Sequence, residues 1–255
     1  LAGFGLHSGT PVEVRIHPGD QGIAFVLGGE RIEARADLVV DTTRCTRLGP
    51  ISTVEHLLSA LAGLAVTDAE IEISAPEPPA LDGGAHAFAS ALTSAGFLAL
   101  AHREFEGPFA RIFVREEGVE VTIARGEGRW RYRFDSGDRW PGEQMFEIAL
   151  TPERYVAEIA PARTFAFEEE IEPLRTAGLG RGLDETTCLV LGANGYVNPP
   201  KFDDEPARHK MLDLIGDVAL AGLPIFSLNV TASRSGHASN VRAAQRLREA
   251  VRWLN

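Results

Sequence analysis

The stretch "RHKMLDLIGD", residues 208–217, sets a histidine, a lysine and two aspartates into what otherwise reads as one long apolar helix over residues 204–222. Burying an ionised group is costly unless it is paired, hydrogen-bonded or bound to a metal. The helix must therefore either turn these groups to solvent as an ordinary charged face or meet partners supplied by other parts of the chain.

Their spacing alone more often marks a surface ion pair, but in combination with residues elsewhere in the chain it points to the second solution. His209 and Asp213 stand at i and i+4, so on a helix they share one face with Cβ atoms about 5–6 Å apart. Two metal ligands can be delivered in this way. The strongest candidate for a third is His56 in "STVEHLLSALAG", a predicted helix with Ser52 or Thr53 as N-cap, Glu55 in its first turn and Gly63 as its stop. Two histidines and one carboxylate leave a position open for water, as catalytic zinc sites do. Zinc brings the pKa of such a water toward about 7, and a neighbouring carboxylate that is not itself a ligand can take the proton during attack on a carbonyl. Glu55 fits that part. His237 in "SGHASN" and Lys210 supply the acid and cation that the leaving group and oxyanion need. Asp217, one further i+4 step along, would orient His237 and keep it charged. A non-haem iron oxygenase also uses two histidines and a carboxylate, but a glutamate beside a ligand and a His–Asp pair favour hydrolysis. A catalytically silent binding protein would have no need of Glu55, His56, Lys210, Asp213 and His237 together.

The rest of the chain reads as sheet and helix in alternation. "VEVRIHP", "IAFVL" and "RIEARADLVV" predict three early strands, and "AEIEISA" a fourth after the Glu55 helix. The turn-rich "PEPPALDGG" precedes a small-residue helix near residues 84–95. From "FARIFVREEGVEVTIARGEGRWRYRFD" the alternating pattern restarts, and "FEIAL" and "VAEIAPA" extend it. An acidic segment near 168–178, the Gly-rich "AGLGRG", a strand "TTCLVL", the 204–222 helix, a strand "IFSLNVTAS" and a terminal helix from His237 complete it. The expectation is an α+β chain of two domains, 1–102 and 103–255, meeting at a cleft. The halves share a loose element order without a residue-level repeat. "GFGLHSG" lacks a GxGxxG pattern and follows no visible strand, so it reads as a turn, with His7 near the site's rim.

Composition excludes several function classes. A formal net charge of -11 over 255 residues argues against generic nucleic-acid binding, which needs a positive field. Cys45 and Cys188, far apart and in no CxxC pair, indicate neither a disulfide scaffold nor a thiolate zinc site, and point to a reducing cytoplasm. No apolar run approaches the roughly 20 residues of a spanning helix, and no signal segment opens the chain. Transient contact with a membrane surface is left open.

The stretches "GFGLHSG", "DTTRCTRLG", "ISTVEHLLSAL", "EPPALDGGA", "APARTFAF", "FDDEPARHKMLDLIGDVALAG" and "RSGHASN", spread over nearly the whole chain, carry a family resemblance. The sequence resembles the zinc-dependent UDP-3-O-acyl-N-acetylglucosamine deacetylases of bacterial lipid A synthesis. This implies hydrolysis of the N-acetyl amide of a UDP-linked acylglucosamine, the committed step of that synthesis, with release of acetate. His56, His209 and Asp213 would be the zinc ligands, Glu55 the general base, His237 the general acid or cationic stabiliser and Asp217 its partner. The resemblance adds Lys210 and Thr164 near the developing oxyanion. It also implies two similar two-layer domains, with helices packed between outer sheets and the active site at their junction, and a monomer. Phe165 and Phe167 suit an apolar passage for the acyl chain between Phe165 and Leu191; Lys201, Arg208 and Arg234 suit the diphosphate. "RGLDET" is one residue shorter than the usual family segment and has Glu185 where asparagine is common. A related deacetylase acting on a different acylated nucleotide sugar or amino sugar is the alternative.

Overall fold

In the computed structural model, which describes residues 1–100, 104–108 and 110–254, the chain opens with β1 (Ala2–Phe4), β2 (Pro11–Pro18), β3 (Ile23–Leu27) and β4 (Glu30–Glu33). The short pair β5 (Val39–Asp41) and β6 (Arg47–Leu48) leads to α1 (Glu55–Gly63), β7 (Ala69–Ile73) and α2 (His86–Ala95). After β8 (Glu104–Glu106) come β9 (Ile112–Glu116), β10 (Val119–Arg125), β11 (Arg129–Asp135) and β12 (Glu143–Ala149). Then follow α3 (Pro152–Glu158), β13 (Thr164–Phe167), α4 (Glu168–Thr176) and β14 (Cys188–Leu191). The chain finishes with α5 (Glu205–Ala219), β15 (Leu228–Ser233), α6 (His237–Glu249) and β16 (Arg252–Leu254).

The strands form because apolar residues alternate with polar ones. Val12 and Val14 of β2 face inward, as do Trp130, Tyr132 and Phe134 of β11. Gly28 and Gly29, both at positive φ (59° and 86°), make the two-residue β3–β4 turn that the twist of the flanking strands favours.

Two five-stranded sheets result, ordered β1-β2-β7-β3-β4 and β9-β10-β15-β11-β12. Their pairings match one for one. In each, the central strand (β7, β15) lies antiparallel to the second strand of its unit and parallel to the third. The loose similarity of the two halves is thus an identical strand topology. The central strand follows α1 in one unit and α5 in the other, so these are equivalent helices, and they pack on each other. α5 also lies on β11 and β12, and α6 on β9 and β10. All nine residues of α1 are buried, and one apolar cluster runs through both sheets. The expected α+β architecture, with helices between outer sheets, is the one observed.

Close approach of α1 and α5 depends on Gly216, where a Cβ would collide with the Glu55 backbone carbonyl. A side chain there would push the start of α1, and with it Glu55 and His56, away from Asp213 and Asp217.

Several local expectations are corrected. Neither Ser52 nor Thr53 caps α1; Val54 occupies that position without a side-chain bond. Thr53 sits at φ 56° and donates its hydroxyl to Glu77 Oε1 (2.9 Å). Most of "VAEIAPA" belongs not to a strand but to α3 and its C-terminal turn, because Thr151 accepts from the Arg154 N–H and Pro152 opens the helix. "RIEARADLVV" is broken by a 3-10 turn at Ala36–Leu38. "GFGLHSG" begins inside the edge strand β1, before turning. The acidic segment is the exposed helix α4. The boundary expected at His102 lies outside the described residues.

Candidate metal centre and active site

α5 presents His209 and Asp213 on one face, as their spacing requires, and α1 brings His56 against them. His209 Nε2 lies 3.4 Å and His56 Nε2 3.7 Å from Asp213 Oδ1. All three residues are buried, and one ligating atom from each lies within 4.8 Å of the others. Atoms bound tetrahedrally to one zinc ion at roughly 2.0–2.2 Å would stand about 3.4 Å apart. These three could therefore hold a metal ion with small adjustments.

The chemistry of the donors fits the same reading. His209 Nδ1 faces the Ala162 carbonyl oxygen at 3.2 Å, so that nitrogen carries the proton and Nε2 keeps its lone pair for the cluster. Burial, then the neighbouring His209, lowers His56 to about 3, and burial also lowers His209, so both are neutral at pH 7 as ligands must be. Asp213 stays ionised: burial opposes its charge, but His209, when protonated at low pH, and Lys210 hold its carboxyl well below the usual range, and at pH 7 the Lys210 ammonium remains beside it. Its Oδ2 accepts from Lys210 Nζ at 2.9 Å, while its Oδ1 is buried with no hydrogen-bond partner. A buried, anionic oxygen left without a donor is what a cation site leaves behind.

A second group of charges borders the first. Glu55 Oε2 accepts from the Thr46 N–H (3.0 Å), and Oε1 lies 3.9 Å from His237 Nε2. Burial pushes the Glu55 carboxyl up to about 8; His237 opposes the rise, and Asp217 and Asp213 add to it. His237 Nδ1 lies 3.0 Å from Asp217 Oδ2. Burial works against its charge, but Asp217 and Glu55 outweigh burial and raise it to about 9. The site thus holds a carboxyl group of raised pKa beside an imidazolium, with Glu55 Oε1 and His237 Nε2 too far apart for a direct hydrogen bond.

β13 supplies the next wall. Thr164, half-buried, is fixed by its N–H to the Gly83 carbonyl (2.8 Å). The Phe165 ring stands 6.0 Å from the His209 ring and 5.5 Å from Lys210 Nζ. Phe134 and Phe167 meet Phe165 edge-on at 5.5 and 6.4 Å. Arg139 stacks on the Phe167 ring 3.4 Å from its centre and pairs with Glu170 (2.7 Å).

The expected basic residues are dispersed. Arg234 stands half-exposed at φ 54° on the turn between β15 and α6, with its Nη1 3.8 Å from Asp135. Lys201 Nζ donates to the Pro161 carbonyl (2.9 Å). Arg208 binds Asp204 and the Glu158 carbonyl and stacks on Phe146 and Phe202, which makes it part of the scaffold.

Three features escaped the reading of the sequence. Asn240 Nδ2 donates to Asp217 Oδ2 (3.0 Å); its i+3 spacing from His237 was the available clue. Thr46 donates its hydroxyl to Asp217 Oδ1 (2.5 Å), with no local signal in its polar loop. Glu77, buried, accepts from the His7 and Ser8 N–H groups and so ties the glycine-rich turn to the start of α1.

The family model described as UDP-3-O-acyl N-acetylglycosamine deacetylase matches residues 1–249. Among similar curated proteins, one from Nostoc sp. is 37% identical over 96% of this chain and 94% of its own length. Others from Anaeromyxobacter sp. (36%, covering 93% and 82%) and Thermosynechococcus vestitus (37%, covering 92% and 87%) are comparable. Each of the three is named UDP-3-O-acyl-N-acetylglucosamine deacetylase.

Proposed function

The chain belongs to the UDP-3-O-acyl N-acetylglycosamine deacetylase family, and from that premise we propose that it is a zinc-dependent amidohydrolase. It removes the N-acetyl group of UDP-3-O-acyl-N-acetylglucosamine and releases acetate, the committed step of lipid A synthesis. The observation that carries the zinc reading is the partnerless Asp213 Oδ1, buried between two neutral histidine nitrogens.

His56, His209 and Asp213 would hold the ion, which when bound supplies positive charge that polarises the amide carbonyl and acidifies water. Glu55 takes the proton of the attacking water on Oε1, the oxygen not engaged by Thr46. Its raised pKa makes its deprotonated form a stronger base than an exposed glutamate, and the share in that form grows as pH rises toward about 8. As the water oxygen bonds to the amide carbon, the carbonyl oxygen gains charge, and Lys210 and Thr164 stand as its donors. His237, held cationic by Asp217, gives its Nε2 proton to the sugar nitrogen as the carbon–nitrogen bond breaks. Phe165 lines the acyl side. Arg234, half-exposed beside the site, serves the diphosphate, whereas Lys201 is bound to the Pro161 carbonyl. The enzyme works as a cytoplasmic monomer that meets membrane surfaces transiently. No helix among the described residues is long and apolar enough to cross a membrane.

The test is acetate release from UDP-3-O-acyl-N-acetylglucosamine by chelator-stripped protein, before and after one equivalent of zinc. Release should return with zinc. Glu55→Ala should keep one zinc per chain and lose about 10²–10⁴-fold in turnover, the usual contribution of a positioned base. Near-normal turnover in that variant would sink the assignment of Glu55.

A further inference from the structure

We propose that Thr46 is a positioning residue that sets the proton acceptor and the proton donor of this site at a fixed separation. The inference rests on the roles given to Glu55 and His237 above.

Three atoms of this fully buried residue make the link. Its N–H donates to Glu55 Oε2 (3.0 Å), and its carbonyl accepts from the Val54 N–H (3.3 Å) at the start of α1. Those two bonds lock the Thr46 backbone to the first turn of the helix that carries Glu55. The third atom, Oγ1, crosses to the other unit of the fold: it donates to Asp217 Oδ1 at 2.5 Å and lies 3.2 Å from His237 Nδ1.

Proton counting fixes the roles. A threonine hydroxyl has one hydrogen, and the shorter contact to an anionic oxygen takes it. Oγ1 is then an acceptor toward His237, whose Nδ1–H is shared between Asp217 Oδ2 at 3.0 Å and Thr46 Oγ1. One acceptor alone leaves an imidazole free to pivot about the shared hydrogen bond. A second acceptor, anchored to another element, sets the ring plane and directs Nε2 toward Glu55 Oε1. Asp217 is held on both oxygens, by Thr46 on one and by His237 and Asn240 on the other. Replacing the hydroxyl by a methyl would leave Oδ1 buried without a donor and free the ring.

Thr46→Val keeps the side chain's shape and both backbone bonds while deleting the hydroxyl; Thr46→Ser restores it. In Thr46→Val, kcat should fall about 10–100-fold, KM should stay within about threefold and zinc should remain at one per chain; Thr46→Ser should stay within about threefold of wild type. If Thr46 acts through the Asp217–His237 pair, Thr46→Val added to Asp217→Asn should cost less than about threefold more. Equal losses in both backgrounds, or wild-type turnover in Thr46→Val, overturn the proposal. A substrate-independent arm separates its failure from failure of the deacetylase reading. With nitrogen-labelled histidine, the His237 Nδ1 proton, assigned by its loss in His237→Gln, should exchange at least about tenfold faster in Thr46→Val than in wild type or Thr46→Ser. Unchanged exchange overturns the proposal whatever the substrate proves to be. Should Thr46→Val fail to fold, Thr46→Cys, with a weaker donor, should show the same changes at about three- to tenfold, and its absence of effect counts equally against Thr46.

Discussion

Of the three buried carboxylates on α5, Glu205 and Asp213 lie two turns apart and differ in how their oxygens are satisfied. Glu205 is saturated: it accepts from Arg163 through the backbone N–H, Nε and Nη2, and from the Lys201 N–H. Asp213 has Lys210 on one oxygen and no donor on the other, which faces two neutral imidazoles. A buried carboxylate whose donors close around it is scaffold, since every lone pair is used within the protein. One with an oxygen turned to neutral nitrogen lone pairs is complete only when a cation joins them. The scaffold cluster also serves the other: the Arg163–Glu205 clamp fixes the chain beside Ala162, whose carbonyl orients His209.

The comparison is most exposed to Asp213→Ala. Zinc should fall from one per chain to below about a tenth, with acetate release lost, while the urea stability of the metal-free protein changes by only about 1 kcal/mol. A collapse of metal-free stability would make Asp213 scaffold after all.

Glu205→Gln should do the reverse, costing about 3–5 kcal/mol because Arg163 is left buried without its counter-charge, with zinc retained by the folded protein. Burial pushes Glu205 up, but the Arg163 and amide donors outweigh it, so its folded pKa lies below the ordinary 4.5. Its stabilisation is therefore fully present above that value and is lost as pH falls through the folded one. In urea titrations the gap between wild type and Glu205→Gln should be constant at neutral pH and narrow below 4.5; a gap independent of pH would contradict the ion-pair origin.

The smallest effect concerns pH dependence. Asp217→Asn removes the largest influence raising His237, so the alkaline limb of the acetate-release profile should move from near 9 toward the ordinary histidine value of 6.5. The sign follows because a lowered pKa deprotonates the acid at lower pH. A limb that stays in place would assign that ionisation to another group.

Much of the site was legible because helical periodicity is local. His209, Asp213 and Asp217 follow from one spacing, and Glu55 and His56 from adjacency on a second helix. Thr46 was not legible, since its partner lies 171 residues away and its own loop has no period. The strand expected at "VAEIAPA" failed for a different reason: a short apolar run fits helix or strand, and the Thr151–Pro152 cap upstream decided for helix. Nor could the identical topology of the two sheets be read from residues that share no repeat, because topology depends on which strands pair and many sequences satisfy one alternation.

What the amino-acid order determined by itself is the set of faces: which side chains leave a helix together, and which strands have an inner side. The meeting of those faces belongs to the tertiary structure. Packing α1 on α5 through Gly216 brought His56 to Asp213, and the exclusion of water raised Glu55 and lowered His56, while Asp217 and Glu55 raised His237 against its burial. Desolvation and charge–charge energies depend on distance through space, and no local spacing specifies that distance between residues far apart in the chain.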